Sequence, residues 1–253
     1  MKNWIKRLIP IAIILGVWYL LTYFEVWSSY VLPTPMKVWD TFVSMVQNGE
    51  LFLHIGASLN RVLVGFSIAF ILAFTLGIIA GLKPSYSPYY NHIVEFFRNV
   101  PPLSLIPLLI LWVGIGEESK IIIIILASFF PMFLNIKKGF STYDPKLLEV
   151  GKVLGFNKKQ RFFKIILPSA IPDILLGMKV GLGYSWRAII GAEMIAAASG
   201  LGYFILDAQT MSRSDKVIVG IIVIGLLGVL CDKLFTILSN RITHKGGMKD
   251  SWD

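Results

Sequence analysis

The sequence predicts an all-α membrane protein with six transmembrane helices and one long polar loop between two of them. Hydrophobic residues make up 55% of the 253 residues and charged residues only 15%, whereas a soluble domain has roughly a quarter charged residues. The mean hydropathy is +0.70. Six apolar segments follow one another along the chain, and runs of about 18 or more apolar residues are typical of helices that cross a membrane. We therefore expect no soluble catalytic domain in these residues.

The six apolar segments differ in length and in charge. The predicted spans are Leu8–Phe24, Val62–Leu82, Pro101–Gly116, Ile121–Ile136, Val180–Ala198 and Val217–Cys231, the last continuing towards Leu238. The first four contain no charged residue, and the fifth is interrupted by Arg187 and Glu193. A basic stretch precedes the first span, as in a secretory signal peptide. Because no small-x-small cleavage site follows it, we expect this span to be retained.

The distribution of positive charge predicts the orientation in the membrane. With the N-terminus in the cytoplasm, 18 of the 24 Lys and Arg residues fall in cytoplasmic segments and five, including Arg61 and Lys120, in extracytoplasmic ones. Cytoplasmic loops of membrane proteins carry such an excess. We therefore expect a multi-pass protein of the cytoplasmic (inner) membrane with both termini in the cytoplasm. The net charge of +9 is then explained by topology and by membrane lipids as partners, and not by nucleic acid.

The segment after the first span contains a predicted short helix. Thr34 is a suitable N-cap and Pro35 a suitable first residue, and Asn48 with Gly49 marks the end. The apolar residues between them recur at helical spacing: Val38, Trp39, Phe42, Met45 and Val46. We expect this helix to lie in the membrane interface. Contact with an extracytoplasmic protein is the alternative.

Prolines crowd the connection between the second and third predicted spans, and Pro101 and Pro102 directly follow Arg98-Asn99-Val100. Proline removes a backbone donor and breaks helices. Broken backbone is tolerated within a bilayer where it is buried in protein or lines a cavity. Pro101 and Pro102 are therefore predicted to mark an irregular start of the third span beside a pathway through the protein. A simple connecting turn is the alternative.

The longest polar interval, residues 137–179, contains two predicted helices. The first has Asp144 as its N-cap, Pro145 as its first residue and Gly155 as its stop. On a helical wheel its apolar residues share one face: Leu147, Val150 and Leu154. Gly151 borders this face and allows another backbone to approach closely. A short helix with an apolar face suits recognition in the groove of a partner protein.

The second predicted helix of this interval is basic and amphipathic. Asn157 is its expected N-cap and Pro168 its expected end. Basic residues stand beside apolar ones along it: Lys158, Lys159, Arg161 and Lys164 beside Phe162, Phe163, Ile165 and Ile166. Such a helix suits the membrane interface, with the basic side towards lipid headgroups. A purely lipid-binding role for the whole interval is the alternative to protein docking.

These features resemble the permeases of binding-protein-dependent ABC importers, whose cytoplasmic signature is written E-A-A-x3-G-x9-I-x-L-P. This chain has Glu149, Gly155, Ile165, Leu167 and Pro168 at that spacing, with Val150-Gly151 in place of Ala-Ala. Other stretches are similar to the nitrate/sulfonate/taurine permease subfamily: Leu32-Pro33-Thr34-Pro35, Arg98 to Pro102, Leu111 to Gly116, and Ser185-Trp186-Arg187 through Ala192-Glu193-Met194 to Ser199-Gly200-Leu201-Gly202.

The resemblance implies a type I ABC importer permease fold and a division of labour between chains. It implies that the signature interval is an ATPase-coupling loop, with these residues in contact with the ATPase: Leu147, Glu149, Val150, Gly151, Leu154, Gly155, Ile165, Leu167 and Pro168. Implied partners are a second permease copy, two ATP-binding subunits and an extracytoplasmic substrate-binding protein. The sequence contains no G-x-x-x-x-G-K-[ST] phosphate loop, so ATP and Mg are expected on the partner ATPase and no cofactor on this chain.

The resemblance also implies a single permease domain over residues 1–253, in which residues 55–245 form a five-helix transport unit and residues 1–54 add the first span and the interfacial helix. The implied substrate is a small anion, foremost an aliphatic sulfonate. Taurine, nitrate or a pyrimidine-type vitamin precursor are the alternatives, because selection resides largely in the binding protein.

Arg187 and Glu193 are the ionisable residues within the predicted spans, and two roles are open for them. Six residues turn a helix by about 600°, so the two side chains do not stack on each other. They either line the pathway, where Arg187 would attract an anion, or pair with backbone carbonyls, polar groups or charges on neighbouring helices. For Arg187, snorkelling to a membrane interface is a third alternative. Glu193 also leaves open a proton-coupled secondary transporter. A membrane enzyme is disfavoured because no catalytic set is visible, and the scattered histidines and single cysteine predict no metal site.

Overall fold

The computed structural model describes residues 2–245, with side chains described for residues 9–243, and this part of the chain is all-helical, as predicted. The α-helices are α1 Lys2–Tyr23, α2 Pro35–Gln47, α3 Glu50–Leu82, α4 Ser87–Asn99, α5 Ile106–Val113, α6 Glu117–Ser141, α7 Pro145–Val153, α8 Lys158–Arg161, α9 Leu167–Ala196, α10 Leu201–Thr210 and α11 Ser214–Lys245. Short 3₁₀ turns cover Pro84–Tyr86 and Pro102–Leu105, and a π-turn covers Phe162–Ile166. Some of the terminal charges used to predict orientation lie outside the described residues.

Four of the described helices are long and apolar enough to cross a membrane: α3, α6, the continuous helix Lys158–Ala196 and α11. They contain the second, fourth, fifth and sixth predicted spans. The apolar part of α1, Ile9–Tyr23, is shorter. The third predicted span, Pro101–Gly116, falls in the second of two helices, Pro84–Asn99 and Pro102–Val113, that meet at 87°, so the break lies at the start of that span. Length and composition of the described helices support four spans, or five if the bent pair is one, and the predicted count of six is not confirmed.

Helices α3, α6 and α9 pack together as the centre of the bundle. Small residues recur along α3 at every fourth position: Gly65, Ala69, Ala73, Gly77 and Gly81. A Cβ added at Gly77 would lie 2.6 Å from the Cγ2 atom of Ile136 on α6. Such small residues let membrane helices approach each other closely, where van der Waals packing replaces the hydrophobic effect that water would supply.

The prediction of α2 is confirmed. It begins at Pro35, and the Thr34 hydroxyl oxygen accepts the N–H of Lys37 at 3.3 Å. Val38 and Met45 are buried, so the face of α2 that carries them packs against the bundle. The Thr41 hydroxyl donates to the carboxylate of Asp215 on α11 at 2.8 Å, so α2 is attached to the end of the bundle where α11 begins.

Asp215 also binds Arg213 through two hydrogen bonds, of 2.9 and 2.7 Å. This pairing, more than any other contact, raises the pKa of the Arg213 guanidinium. Helix α10, which precedes Arg213, was not predicted from the sequence. Helices α2 and α10 and the first turns of α3, α6 and α11 share this end of the bundle, which we call the α10 end; the other, the loop end, carries residues 142–166.

Candidate functional site

The first helix of the loop end is closed by backbone hydrogen bonds around Gly155. Asp144 accepts the N–H of Lys146 at 2.9 Å at the beginning of α7, as predicted for an N-cap. At its end Gly155 has φ of +71°. The N–H of Gly155 donates to the Lys152 carbonyl at 3.0 Å, and the next N–H donates to the Gly151 carbonyl at 2.8 Å. This pair of bonds is the Schellman motif, in which glycine is favoured because the left-handed conformation costs it nothing.

The second part of the loop continues directly into a membrane helix. The Asn157 side chain accepts the N–H of Gln160 at 2.8 Å, and the Gln160 side chain accepts the N–H of Asn157 at 2.9 Å. This capping box confirms the predicted start. The prediction that Pro168 ends the helix is wrong, since the chain is helical without a break from Lys158 to Ala196.

The π-turn explains why proline is accepted here. In an α-helix Pro168 would lack one hydrogen bond and crowd the carbonyl four residues earlier. Residues Phe162–Ile166 instead form a π-turn, whose bonds span five residues and widen the helix at that point. Pro168 lies within the first two positions of the α-helix that follows, where its missing N–H is not needed.

Gly151 is the contact point between the two parts of the loop. It is buried, and a Cβ built on it would lie 2.7 Å from the Cδ1 atom of Ile165. The predicted close approach is therefore made by the loop's own Ile165 side chain. Gly151 and Ile165, both at positions of the cytoplasmic signature, thus hold α7 against the helix that continues into α9.

The apolar face of α7 remains open to the outside. The exposed fractions of Leu147, Val150, Val153 and Leu154 are 47%, 55%, 88% and 63%. A groove of about 230 Å³ runs beside this face and is lined by Leu147, Val150, Gly151, Leu154, Phe156, Lys164, Ile165, Pro168 and Ser169. Glu149 is exposed on the same helix, and Leu167 is half-buried. The structure therefore brings all the predicted coupling residues into one small unit.

The predicted irregular stretch at Pro101 and Pro102 is the bend between α4, which ends at Asn99, and the helical segment Pro102–Val113. Pro101 is extended (φ −62°, ψ 123°) and a 3₁₀ turn begins at Pro102. A cavity of about 290 Å³ lies beside the bend. Its lining comes from three segments: Phe97, Arg98, Val100 and Pro102 at the bend, Leu126, Ala127, Phe130, Pro131, Leu134 and Asn135 on α6, and Val180 and Tyr184 on α9.

Arg187 is exposed on the same helix, three residues after Tyr184. Its guanidinium carbon lies 5.9 Å from the centroid of the Tyr184 ring. It lines a second cavity of about 370 Å³ between α9 and α11. Among the described side chains, no carboxylate lies within 4.0 Å of it. Pairing with an acid on a neighbouring helix, one form of the structural role left open by the sequence, is thus not found among these side chains.

Glu193 lies on a different side of α9, in a buried polar cluster at the α10 end. Its carboxylate is 1% exposed. It accepts hydrogen bonds from Arg61 Nη1 at 2.7 Å, from the Ser58 hydroxyl at 2.8 to 2.9 Å and from the Gly202 N–H at 3.0 Å. The cluster joins α3, α9 and the start of α10.

Arg61 is the centre of this cluster. Besides Glu193 it binds Glu117 on α6 through two bonds, of 2.6 and 2.8 Å, and the carbonyl and hydroxyl of Ser199 at 2.7 and 3.0 Å. The Lys120 ammonium adds a bond of 2.6 Å to Glu117. Four separate segments are thereby tied to one guanidinium.

Sequence reasoning placed Arg61 in an extracytoplasmic loop because the apolar run begins at Val62. The structure corrects this: α3 begins at Glu50, and Arg61 is only 5% exposed. A signal was available in the sequence, since the apolar residues Leu51, Ile55 and Leu59 recur at helical spacing before Arg61, and all three pack in or against the core. A period of three to four residues extends a helix beyond its uncharged core.

Comparison with known proteins agrees with this architecture. Residues 73–244 match the family described as "Binding-protein-dependent transport system inner membrane component". The chain is 38% identical over 240 residues to the putative aliphatic sulfonates transport permease protein SsuC of Bacillus subtilis (strain 168), which covers 95% of this chain and 87% of the relative. It is 33% identical over 238 residues to the taurine transport system permease protein TauC of Escherichia coli (strain K12), covering 92% and 86%.

Among solved structures, a chain from inward-facing conformations of the MetNI methionine ABC transporter superposes with a TM-score of 0.61. It covers 78% of this chain and 98% of that chain at 17% sequence identity. At this identity the likeness concerns the fold alone.

Proposed function

The chain belongs to the family of binding-protein-dependent transport system inner membrane components, and we propose that, as the permease subunit of an ATP-driven importer, it carries aliphatic sulfonates into the cytoplasm. The 38% identity with a putative sulfonate permease supports this substrate. The similarity to a taurine permease keeps taurine, itself a sulfonate, as the second candidate. Nitrate and pyrimidine-type vitamin precursors are the remaining alternatives.

The observation that carries this proposal is the open apolar face of α7. Four large apolar side chains there are about half exposed or more, on a helix whose two ends are both capped. Lipid contact does not account for this face well, because α7 is short and only its neighbour α8 is strongly basic. A preformed apolar face suits insertion into the groove of another protein. We assign that groove to a partner ATPase, which holds ATP and Mg.

The linkage between this face and the membrane supports a coupling role. Ile165 contacts Gly151 on α7 and belongs to the same continuous helix as Arg187. Displacement of α7 by the ATPase is therefore passed to a helix that crosses the bundle. ATP binding and substrate binding would then favour different positions of one rigid element, which is the requirement for coupling between two sites.

The rest of the assembly follows from this assignment. The loop end faces the cytoplasm, as do both termini, and the α10 end faces the extracytoplasmic binding protein. Only 17% of the apolar stretch of α11 is buried in the described chain. Its remaining surface is available to lipid and to a second copy of the permease, with which we expect a homodimer carrying two ATPase subunits. This chain itself holds no cofactor.

The experiment is co-purification and transport with the ATPase and binding protein encoded beside this chain. Val150→Asp places a charge on the open face, and we expect it to abolish co-purification of the ATPase and uptake of a radiolabelled alkanesulfonate into proteoliposomes. Lys158→Asp is the control, since it places the same carboxylate in the same loop, with an even larger change of net charge, at a helix N-terminus that tolerates an acid. Equal ATPase binding by both variants would contradict the docking assignment.

The same proteoliposomes separate the transporter classes. Uptake should require ATP on the side of the membrane where the ATPase subunits lie. It should persist when a protonophore collapses the proton gradient. Uptake that follows the proton gradient without ATP would instead identify a secondary transporter, the class that Glu193 left open.

A further inference from the structure

Arg187 lies within the helix Lys158–Ala196, which is long and apolar enough to cross a membrane. It precedes the end of α9 at Ala196 by nine residues, which corresponds to about 13 Å along a helix. The hydrocarbon core of a bilayer is about 30 Å thick. The buried cluster around Glu193 lies between Arg187 and the α10 end, so Arg187 is separated from that surface by folded protein.

A lipid-facing position would be costly for the exposed Arg187. A cation at the bilayer centre is strongly disfavoured and occurs where it faces a bundle interior or a water-filled space. The Tyr184 ring, 5.9 Å away, contributes a cation–π contact, which is weaker than the cost of such a cation in lipid. Among the described side chains no carboxylate lies within 4.0 Å of the guanidinium to compensate for lost hydration. A polar space enclosed by protein therefore suits Arg187 better than lipid does.

The cavity that Arg187 lines has a positive character. Its lining contains Lys179, Arg187 and Lys233 against one acid, Asp232. Asp232 lies 3.7 Å from the Lys179 ammonium, which leaves an excess of positive charge in the cavity. Gly183 lines the cavity one turn from Arg187, and a Cβ built on it would meet nothing within 4 Å. There is room beside the guanidinium for a small group.

Resting on the proposed function, we propose that Arg187 forms an anion-binding site within the membrane, where its guanidinium binds the oxygens of the transported sulfonate. A planar guanidinium with several N–H donors matches the oxygens of an oxyanion better than a point charge does. The Tyr184 ring holds the guanidinium at the edge of the cavity. Tyr184 also lines the cavity at Pro102, so the site adjoins the bend predicted to lie beside the pathway.

The native cysteine offers a direct test, because Cys231 lines the same cavity. In the assembled transporter in nanodiscs, the rate of its reaction with anionic sulfonatoethyl methanethiosulfonate is compared with that of the cationic trimethylammonium-ethyl reagent. Each rate is divided by the rate with a free thiol in solution. We expect roughly a tenfold preference for the anionic reagent, lost in Arg187→Gln and kept in Lys146→Gln, a loop control. Cys231→Ser should not react.

Two further arms identify the source of the anion. Ethanesulfonate should slow the anionic reagent, whereas replacement of neutral lipid by phosphatidylglycerol should not. Protection by phosphatidylglycerol alone would overturn the proposal in favour of a lipid headgroup site. A cavity that reacts with neither reagent, at Cys231 or at Gly183→Cys in a Cys231→Ser background, would also overturn it, because the face would then contact lipid or protein.

Transport assays test whether the site at Arg187 is used during uptake. Arg187→Gln should lower sulfonate uptake roughly tenfold or more, as expected for loss of a charge-assisted hydrogen bond, while stimulation of ATP hydrolysis by the loaded binding protein stays within about twofold. Arg187→Lys should restore part of the uptake. A structural role for Arg187 would be shown by three results together. Arg187→Gln would fail to assemble, Arg187→Lys would assemble normally, and Cys231 of the wild-type chain would show no preference for the anionic reagent. Failure of the wild-type chain to transport any sulfonate would refute the substrate, whereas the thiol measurements test the anion site independently.

Discussion

Removal of the Arg61 guanidinium is the perturbation with the largest effect that the structure predicts. Arg61→Gln deletes a group that is 5% exposed and bonded to three segments besides its own. It leaves Glu193, which is 1% exposed, without its counter-ion. The Ser58 hydroxyl and the Gly202 N–H still reach this carboxylate, but they carry no positive charge.

The expected loss follows from the cost of a buried unpaired charge. Breaking a buried ion pair by removing one partner costs about 3–5 kcal/mol. For a chain of 150–250 residues, each kcal/mol lowers Tm by roughly 2–4 °C, so we expect a fall of roughly 6–20 °C. The bonds to Glu117, which is 57% exposed, should add little, because water replaces them at the surface.

Thermal unfolding of the purified chain in detergent measures this loss, with Lys138→Gln as the matched control. Lys138 also pairs with an acid, at 3.0 Å, but is 61% exposed, and its loss should cost less than about 1 kcal/mol. The double variant Arg61→Met/Glu193→Met should recover part of the Arg61→Gln loss, since it leaves no charge unpaired. Equal Tm values for Arg61→Gln and Lys138→Gln would refute the view that this cluster holds the α10 end together.

Three further predictions concern the loop, the helix packing and the division of labour. Gly155→Ala should destabilise the loop end by about 1–2 kcal/mol, because its φ of +71° disfavours a Cβ, and Gly155→Asn should cost less; limited proteolysis of the loop in the two variants tests this ranking. Gly77→Val should lower Tm well below that of Gly56→Val, because a Cβ at Gly77 would meet Ile136 and one at Gly56 meets nothing within 4 Å; equal Tm values would contradict the close α3–α6 contact. The purified chain alone should hydrolyse no ATP in a phosphate-release assay, and turnover by a preparation free of other ATPases would refute the assignment of ATP to a partner.

The loop end could be predicted closely because its structure is encoded locally. The N-caps Asp144 and Asn157, like Thr34 at the α10 end, each act on a residue two or three positions away. The stop at Gly155 needs only the backbone of the preceding turn. Side chains that satisfy nearby N–H groups leave a readable pattern in the sequence, so the two loop helices were found with their starts.

The end of the second loop helix was not predictable by the same means. Proline usually ends a helix, and Pro168 would do so in an ordinary α-helix. The π-turn before it removes the conflict, and two of its residues pack against distant parts of the chain, Phe162 on Phe140 and Ile165 on Gly151. Contacts of this kind leave no local pattern in the sequence, whereas the prolines at the bend before the third predicted span do.

The two charges of the fifth predicted span show most clearly where sequence stops being informative. Arg187 and Glu193 are six residues apart on one apolar helix and were given the same two candidate roles. Their difference comes from partners far away in the chain: Arg61, 132 positions before Glu193, neutralises the acid. Among the described side chains no acid does the same for Arg187. A charge is costly when it stands alone in lipid, so the paired Glu193 serves the fold, whereas the exposed Arg187 is the group that we propose binds the transported anion.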